Sequence, residues 1–207
     1  MNCLIVVDIQ NDFLPGGALA VPGGDEVIPV INRLQDRFDL VLATQDWHPS
    51  DHGSFAANHP GHKIGEVIDL DGVPQILWPV HCVQDSAGAQ FSTALDTTRF
   101  ERVFRKGIDR NIDSYSTFFD NAKRRSTGLA EYLRQRNVHE IFICGLATDY
   151  CVRFSALDAV ELSHPTTVVE DACRGVNLQP DDSANALREL LKAGVTIQSS
   201  SKLLASK

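Results

Sequence analysis

The chain has 207 residues, of which 43% are apolar and 22% are charged, and this composition is typical of a globular protein with a single domain over residues 1–207. The net charge of −8 argues against nucleic acid or an anionic membrane as a partner. Five cysteines without a CxxC pair indicate reduced thiols, and the apolar run from Cys3 to Val7 is too short for a signal peptide. We therefore expect a soluble cytoplasmic protein.

Short apolar strands alternate with amphipathic helices along the chain. The predicted strands cover residues 3–7, 40–43, 102–104, 141–144, 166–169 and 195–198, and the predicted helices cover residues 25–37, 129–136, 149–162 and 181–192. Residues 46–98 are rich in Pro, Gly, His and Asp without clear periodicity, and we interpret them as a long functional excursion. The repeated β–α order predicts an α/β fold with a mostly parallel sheet and helices on both faces.

Ionisable side chains follow four of the predicted strands. These are Asp8 after the first strand, Asp46 and His48 after the second, Lys106 after the third and Cys151 after the fourth. Ligands of parallel α/β sheets bind beyond the carboxyl ends of the strands, so we expect these side chains to lie near one another. The dinucleotide pattern GxGxxG and the P-loop pattern are both missing, which disfavours nucleotide binding.

Cys151 has the sequence context of a reactive thiol. Gly145 allows the chain to turn sharply after its strand, and Thr148 or Asp149 can cap the helix that follows. Cys151 then lies in the first turn of a helix, where unpaired N–H groups favour a thiolate. The alternative is a small buried cysteine with no chemical role.

The thiol needs help to ionise. A free cysteine with a pKa of about 8.5 is only about 3% thiolate at neutral pH. A helix terminus supplies only part of the missing stabilisation, since its effect is about 0.3–1 kcal/mol. A nearby cation such as Lys106, together with a carboxylate such as Asp8 that takes the proton, would supply the rest.

A second group of residues in the excursion is suited to a metal ion. Asp46 and His48 project to the same side of an extended backbone as residues i and i+2, and His81 offers a second imidazole. One carboxylate and two imidazoles suit Zn²⁺, Fe²⁺ or Mn²⁺ with open coordination positions. His52 is either a fourth ligand or a hydrogen-bonding partner of a ligand.

Two aromatic residues complete the set of candidates. Phe13 and Trp78 offer flat apolar faces to an aromatic ligand, although either can instead belong to the core.

Seven short motifs occur in an order that is characteristic of one known family. They are Val-Asp-Ile-Gln-Asn-Asp-Phe (7–13), Gln-Asp-Trp-His-Pro (45–49), Trp-Pro-Val-His-Cys (78–82), Arg-Lys-Gly (105–107), Asp-Ser-Tyr-Ser (113–116), Gly-Leu-Ala-Thr-Asp-Tyr-Cys-Val (145–152) and Asp-Ala-Cys-Arg-Gly-Val (171–176). Together they resemble the nicotinamidase (pyrazinamidase) branch of the isochorismatase-like cysteine hydrolases. The resemblance runs from residue 3 to about residue 198.

This resemblance implies a fold and a catalytic site. The fold would be a Rossmann-like three-layer α/β/α sandwich with a six-stranded parallel sheet. The catalytic triad would be Asp8, Lys106 and Cys151, and the backbone N–H groups of Ala147 and Cys151 would form the oxyanion hole. The resemblance also implies a cis peptide bond between Leu146 and Ala147.

The resemblance further implies hydrolysis of nicotinamide to nicotinate and ammonia through a cysteine thioester, as a step of NAD salvage, with pyrazinamide as a second substrate. Asp46, His48 and His81 would hold one divalent metal ion that orients the pyridine ring, with zinc expected first and iron or manganese as alternatives. Phe13 and Trp78 would flank the ring. The oligomeric state stays open, and a homo-oligomer is compatible with the sequence.

Three other functions are compatible with the same residues. The first is a related amidase or isochorismatase-type hydrolase that acts on another small molecule. The second is a hydrolase whose metal generates the nucleophile, with Cys151 in a structural role. The third is a protein that binds the small molecule without turning it over.

Overall fold

The computed structural model describes residues 1–205 and is built around a central sheet. The strands are β1 (Asn2–Val7), β2 (Leu40–Asp46), β3 (Val67–Leu70), β4 (Val73–Ile76), β5 (Phe100–Lys106), β6 (Glu140–Leu146), β7 (Thr166–Arg174) and β8 (Thr196–Gln198). The helices are α1 (Ile28–Leu34), α2 (Leu129–Gln135), α3 (Arg153–Glu161), α4 (Asp182–Lys192) and α5 (Ser200–Ala205). None of these helices is long and apolar enough to cross a bilayer.

Six strands form one parallel sheet in the order β5-β2-β1-β6-β7-β8. Strand β1 lies at the centre, where Val6 is level with Ala43 of β2 and with Cys144 of β6. The carboxyl ends of β5, β2, β1 and β6 are therefore consecutive along one edge of the sheet. The predicted six-stranded parallel sheet is confirmed.

Both faces of the sheet are covered. All seven residues of β2 are buried, and successive side chains of a strand point to opposite faces, so both faces must be shielded from water. Helix α1 contacts α5, and α3 contacts α4. This arrangement confirms the three-layer α/β/α sandwich.

The first predicted helix, over 25–37, is not continuous. Short 3-10 segments at Gly24–Val27 and Gln35–Arg37 flank α1. Pro29 lies in the first turn of α1, where its missing N–H is tolerated, but it cannot continue a helix from the preceding residues. The proline therefore divides the segment.

Three elements, two strands and one helix, were not predicted. The excursion contains an antiparallel hairpin of β3 and β4, and the chain ends its described part in α5. The Asp171 carboxylate accepts hydrogen bonds from the N–H and the hydroxyl of Ser200, both at 2.6 Å, and so fixes the start of α5. The last two residues of the predicted 1–207 domain lie outside the described residues.

Candidate active site

Four of the predicted site residues meet beyond the carboxyl ends of adjacent strands. The ammonium of Lys106, the last residue of β5, lies 2.8 Å from Asp8 Oδ2 and 3.3 Å from Cys151 Sγ. It also contacts Asp46 Oδ1 at the end of β2. The Asp8 carboxylate, the Asp46 carboxylate and the Cys151 sulfur lie within 4.8 Å of one another. The strand-end pattern thus selects residues that the fold brings into contact.

The Lys106 ammonium is the cation that the two carboxylates and the sulfur of this group share. Its side chain is almost fully buried, and the ammonium also donates to the carbonyl of Ser114 at 3.1 Å. Burial alone would lower the pKa of Lys106, but the carboxylates of Asp46 and Asp8 outweigh it and hold the pKa well above its ordinary value. The group therefore carries a permanent positive charge beside the sulfur.

Asp8 is held in an unusual conformation. Its backbone has a φ of 53°, in the left-handed region, and its side chain is fully buried. The hydroxyl of Thr44 donates to Asp8 Oδ1 at 2.7 Å, while Oδ2 faces the Lys106 ammonium. Burial raises the pKa of Asp8, and Lys106 opposes this rise only in part. A carboxylate with raised proton affinity is suited to accept a thiol proton.

Cys151 lies in a widened helical turn. Residues Thr148–Val152 form a π-helical turn, in which the N–H of Val152 donates to the carbonyl of Ala147 at 3.1 Å. The peptide bond between Leu146 and Ala147 is cis, as the family resemblance implies. Burial raises the pKa of Cys151 well above its ordinary value, against the effect of Lys106.

The proposed cap of this helix is not formed. Neither Thr148 nor Asp149 makes a side-chain capping bond at the start of the turn. The Asp149 carboxylate instead accepts the N–H groups of Val176 at 2.9 Å and Asn177 at 2.7 Å. Those donors belong to the loop after β7, which lies next to β6 in the sheet but far away in sequence. Local spacing could not reveal this tertiary partner.

The second predicted group, Asp46, His48 and His81, is also assembled. One side-chain ligand atom from each residue lies within 4.8 Å of the others, and all three residues are buried. His48 Nδ1 bonds the carbonyl of Gly107 at 2.8 Å, and His81 Nδ1 bonds the carbonyl of Pro79 at 2.8 Å. A carbonyl partner requires a hydrogen on Nδ1, which leaves the Nε2 lone pair available.

The buried Nε2 atoms support a metal site. His48 Nε2 is 3.7 Å from Asp46 Oδ2 and has no hydrogen-bond partner within residues 1–205. Buried polar atoms without protein partners are rare, and a bound ion is one of the usual reasons for them. The donor set of one carboxylate and two imidazole nitrogens fits a divalent transition metal such as zinc.

His52 lies against this group. Its ring centroid is 4.3 Å from that of His48, and its Nδ1 is 2.7 Å from the Ser54 hydroxyl oxygen. Its Nε2 is buried and, like that of His48, has no hydrogen-bond partner in the described part of the chain. Both roles predicted for His52 therefore remain compatible with its position.

The three candidate metal ligands, Asp46, His48 and His81, have pKa values that shift in different directions. Burial opposes ionisation of Asp46, but Lys106 and His48 outweigh it and hold the pKa of Asp46 below its ordinary value. Burial lowers the pKa of His48 as well, yet its contact with Asp46 reverses the sign and raises it. Burial and the nearby His48 lower the pKa of His81 to about 4. His81 is therefore neutral at pH 7, which is the form that binds metals.

An aromatic cleft leads to the sulfur. Its walls include Phe13, Trp78 and Cys151. Sequence reasoning missed two of its aromatic residues, Tyr115 and Tyr150. Trp78 Nε1 donates to the Tyr115 hydroxyl at 3.0 Å, and the Trp78 and Tyr150 rings meet edge to face at 5.0 Å. Both tyrosines lie inside the recognised motifs, which was the available clue.

Gln10 was also missed. Its side-chain amide bonds both main-chain groups of Asp46 at 2.8 Å, donating to the carbonyl and accepting from the N–H. This pair of bonds fixes the end of β2 to the segment after β1. Nothing in the spacing of the sequence identifies such a contact, because it depends on the direction of a side chain across two strands.

The fold and the site define a class of protein, a hydrolase built on a three-layer α/β/α sandwich with a cysteine as the candidate nucleophile. The Isochorismatase domain model matches residues 2–202. The chain belongs to the isochorismatase family.

Within this family, the chain is similar to several nicotinamidases and pyrazinamidases. The chain is 50% identical over 200 residues to the nicotinamidase of Escherichia coli K12, covering 95% of this chain and 93% of that protein. It superposes on the Acinetobacter baumanii nicotinamidase/pyrazinamidase structure with a TM-score of 0.95 at 44% identity, covering 98% of this chain and 97% of that one. A zinc complex of the Pyrococcus horikoshii pyrazinamidase gives a TM-score of 0.77 at 36% identity, with coverage of 96% and 98%.

Proposed function

We propose that this protein is a nicotinamidase, an amidohydrolase that converts nicotinamide to nicotinate and ammonia. The observation that carries the proposal is the contact of the Lys106 ammonium with both Asp8 and Cys151, at the wall of an aromatic cleft. The relatives at 50% and 44% identity support the choice of substrate. The activity would serve NAD salvage, and pyrazinamide would fit the same cleft because its ring has the same shape.

The first chemical step is formation of a thioester. Asp8 accepts the proton of Cys151, and the Lys106 ammonium stabilises the resulting negative charge. The thiolate attacks the carboxamide carbon, so that a C–S bond forms and the carbonyl π electrons move to oxygen. The backbone N–H groups of Ala147 and Cys151 stabilise this oxyanion. Phe13 and Trp78 hold the ring between them, which keeps the reacting atoms close.

The remaining steps release the two products. Protonated Asp8 gives its proton to the amide nitrogen, the C–N bond breaks, and ammonia leaves the thioester behind. Asp8, again ionised, then takes a proton from a water molecule whose oxygen attacks the thioester carbon. Collapse of this second oxyanion breaks the C–S bond, and protonated Asp8 returns its proton to the departing sulfur, which restores the thiol. The nicotinic acid that is released ionises to nicotinate in water.

Asp46, His48 and His81 would hold the divalent metal ion, with zinc the first candidate and iron or manganese the alternatives. A bound metal supplies an electrophilic position that can take a ring nitrogen and so orient the substrate. The unpartnered Nε2 of His48 and the zinc complex of the Pyrococcus horikoshii relative support this assignment. His52 would be a fourth ligand or would orient the set.

Ammonia release from nicotinamide tests the proposal. Wild type should turn the substrate over, and Cys151→Ala should lose at least about a thousandfold in kcat, since removal of a covalent nucleophile leaves only binding and oxyanion stabilisation. Cys144→Ala is the matched control, because Cys144 is a buried thiol in β6 whose sulfur donates to the carbonyl of Ile5 at 3.8 Å. It should retain turnover.

Three results would each favour a different rival function. Turnover by Cys151→Ala would indicate a hydrolase whose metal makes the nucleophile. Full activity after chelation would favour a related amidase that needs no metal. Nicotinamide binding without ammonia release would indicate a binding protein.

A further inference from the structure

We propose that Thr44 is a positioning residue for Asp8 in this reaction. Its hydroxyl donates to Asp8 Oδ1 at 2.7 Å, and both residues are buried. The proposal rests on the proposed function in one respect, namely that Asp8 takes the proton of Cys151.

The two oxygens of Asp8 have different partners. The Thr44 hydroxyl, which comes from β2, holds Oδ1, and the Lys106 ammonium lies 2.8 Å from Oδ2. Two contacts on different oxygens fix the rotation of a carboxylate about its Cβ–Cγ bond. Without Thr44, the carboxylate could rotate, and Oδ1 would be buried without a partner. Thr44 therefore keeps Oδ2 directed at the Lys106 ammonium, which also contacts the Cys151 sulfur.

The chemistry of Thr44 suits this task better than a purely structural one. It lies inside β2, where every residue is buried and a valine of the same shape would fill the space equally well. A buried hydroxyl is costly unless it makes a hydrogen bond, and the Thr44 hydroxyl bonds Asp8. The polar atom is therefore explained by the carboxylate that it holds.

Thr44→Val tests the proposal because it removes the hydroxyl and preserves the shape. We expect kcat for nicotinamide to fall about tenfold, equivalent to about 1.4 kcal/mol in the barrier, with KM changed by less than about twofold. Alkylation of Cys151 by iodoacetamide, followed by peptide mapping without substrate, should slow by a similar factor. Thr44→Ser restores the hydroxyl and should recover most of both rates.

Thr117→Val is the matched control. Thr117 is another fully buried threonine, but its hydroxyl oxygen has no hydrogen-bond partner among residues 1–205. Its backbone makes the hydrogen bonds instead: the N–H donates to Ser155 Oγ at 2.9 Å, and the carbonyl accepts from the Thr127 hydroxyl at 2.6 Å. This variant should keep wild-type rates. If Thr44→Val folds poorly by thermal denaturation, Thr44→Ala supplies the variant without a hydroxyl for comparison with Thr44→Ser.

Unchanged kcat and alkylation in Thr44→Val would overturn the proposal, as would an equal loss in Thr44→Ser or in Thr117→Val. These outcomes differ from failure of the proposed function. If no variant releases ammonia, but alkylation slows in Thr44→Val and recovers in Thr44→Ser, the nicotinamide assignment fails and the role of Thr44 stands.

Discussion

His81 illustrates how enclosure sets the charge of a single side chain. Its ring lies 5.6 Å from Phe13, 4.9 Å from His48 and 5.5 Å from Phe55, measured between ring centroids. Apolar neighbours and a like charge both disfavour the imidazolium, and the pKa falls to about 4. In the unfolded chain this histidine has an ordinary pKa of about 6.5. Between about pH 4 and pH 6.5, His81 is therefore protonated in the unfolded chain and neutral in the folded chain.

This difference predicts a loss of stability in acid. The stabilisation from neutral His81 is fully present above about pH 6.5 and is lost as the pH falls toward 4, because the unfolded state binds more protons in that range. Between pH 7.5 and 4.5 it amounts to roughly 2–3 kcal/mol. Urea unfolding of chelator-treated wild type and His81→Asn should show the larger loss in wild type. Equal losses would show that His81 is not the group responsible.

For single residues, the sequence indicates which side chains are candidates for catalysis, but it does not indicate all of the side chains that they contact. The position of Asp8, Lys106 and Cys151 at strand ends is readable, because β–α alternation fixes where strand ends meet. The contact between Lys106 and Asp46 is not readable, because it depends on side-chain direction after folding. The role of Thr44 could not be predicted for a different reason: threonine is common in strands because of its β-propensity, so its presence in β2 does not indicate a function.

At the scale of elements, β1 and β6 approach each other closely at Gly145. This residue has a φ of 114°, and a Cβ there would lie 2.1 Å from the carbonyl oxygen of Val7. Real atoms do not approach so closely, so a side chain would have to move β6 away from β1. The turn that carries Cys151 begins at Thr148, three residues after Gly145.

Gly145→Ala should therefore destabilise the protein by about 3 kcal/mol or more in denaturant unfolding. Gly128→Ala separates the backbone cost from the clash, since Gly128 also has a positive φ, 86°, but a Cβ there meets nothing within 4 Å. That control should cost only about 1 kcal/mol. Equal costs in the two variants would mean that the approach to Val7 carries no energetic weight.

The β3–β4 hairpin shows a signal that was present but not used. Asp71 and Gly72 join its strands with φ values of 53° and 84°, and an Asp-Gly pair is a strong indicator of a two-residue hairpin turn. Its strands are short and partly exposed, so their hydrophobic pattern is weak. The π-helical turn at Thr148–Val152 had no comparable indicator, because its widening depends on tertiary contacts.

At the scale of the whole molecule, a metal held by Asp46, His48 and His81 would join a long loop to the sheet. His81 lies in the loop between β4 and β5, and Asp46 is the last residue of β2, so one ion would link segments that are far apart in sequence. A ligand that binds only the folded state stabilises it by about 2.7 kcal/mol at a free concentration of 100 Kd. For a chain of this size, that corresponds to roughly 5–10 °C in Tm.

Addition of Zn²⁺ to chelator-treated protein should produce this increase in Tm together with one equivalent of bound metal. His81→Ala should lose most of the shift, whereas His62→Ala, which removes an exposed imidazole beside Glu66, should keep it. The same shift in His81→Ala as in wild type would place the metal elsewhere. Calorimetry and elemental analysis provide both measurements without recourse to activity.

The burial of the cysteines has a consequence for oxidative damage. All five thiols are unpaired, and Cys151 is the one that lines the aromatic cleft. The other four are buried and do not line the cleft: Cys3, Cys82, Cys144 and Cys173. Peroxide would reach the Cys151 sulfur through the same cleft as the substrate. Peroxide should therefore abolish activity, by oxidising Cys151, before it unfolds the protein. A carboxamide bound in the cleft should protect the sulfur from this oxidation.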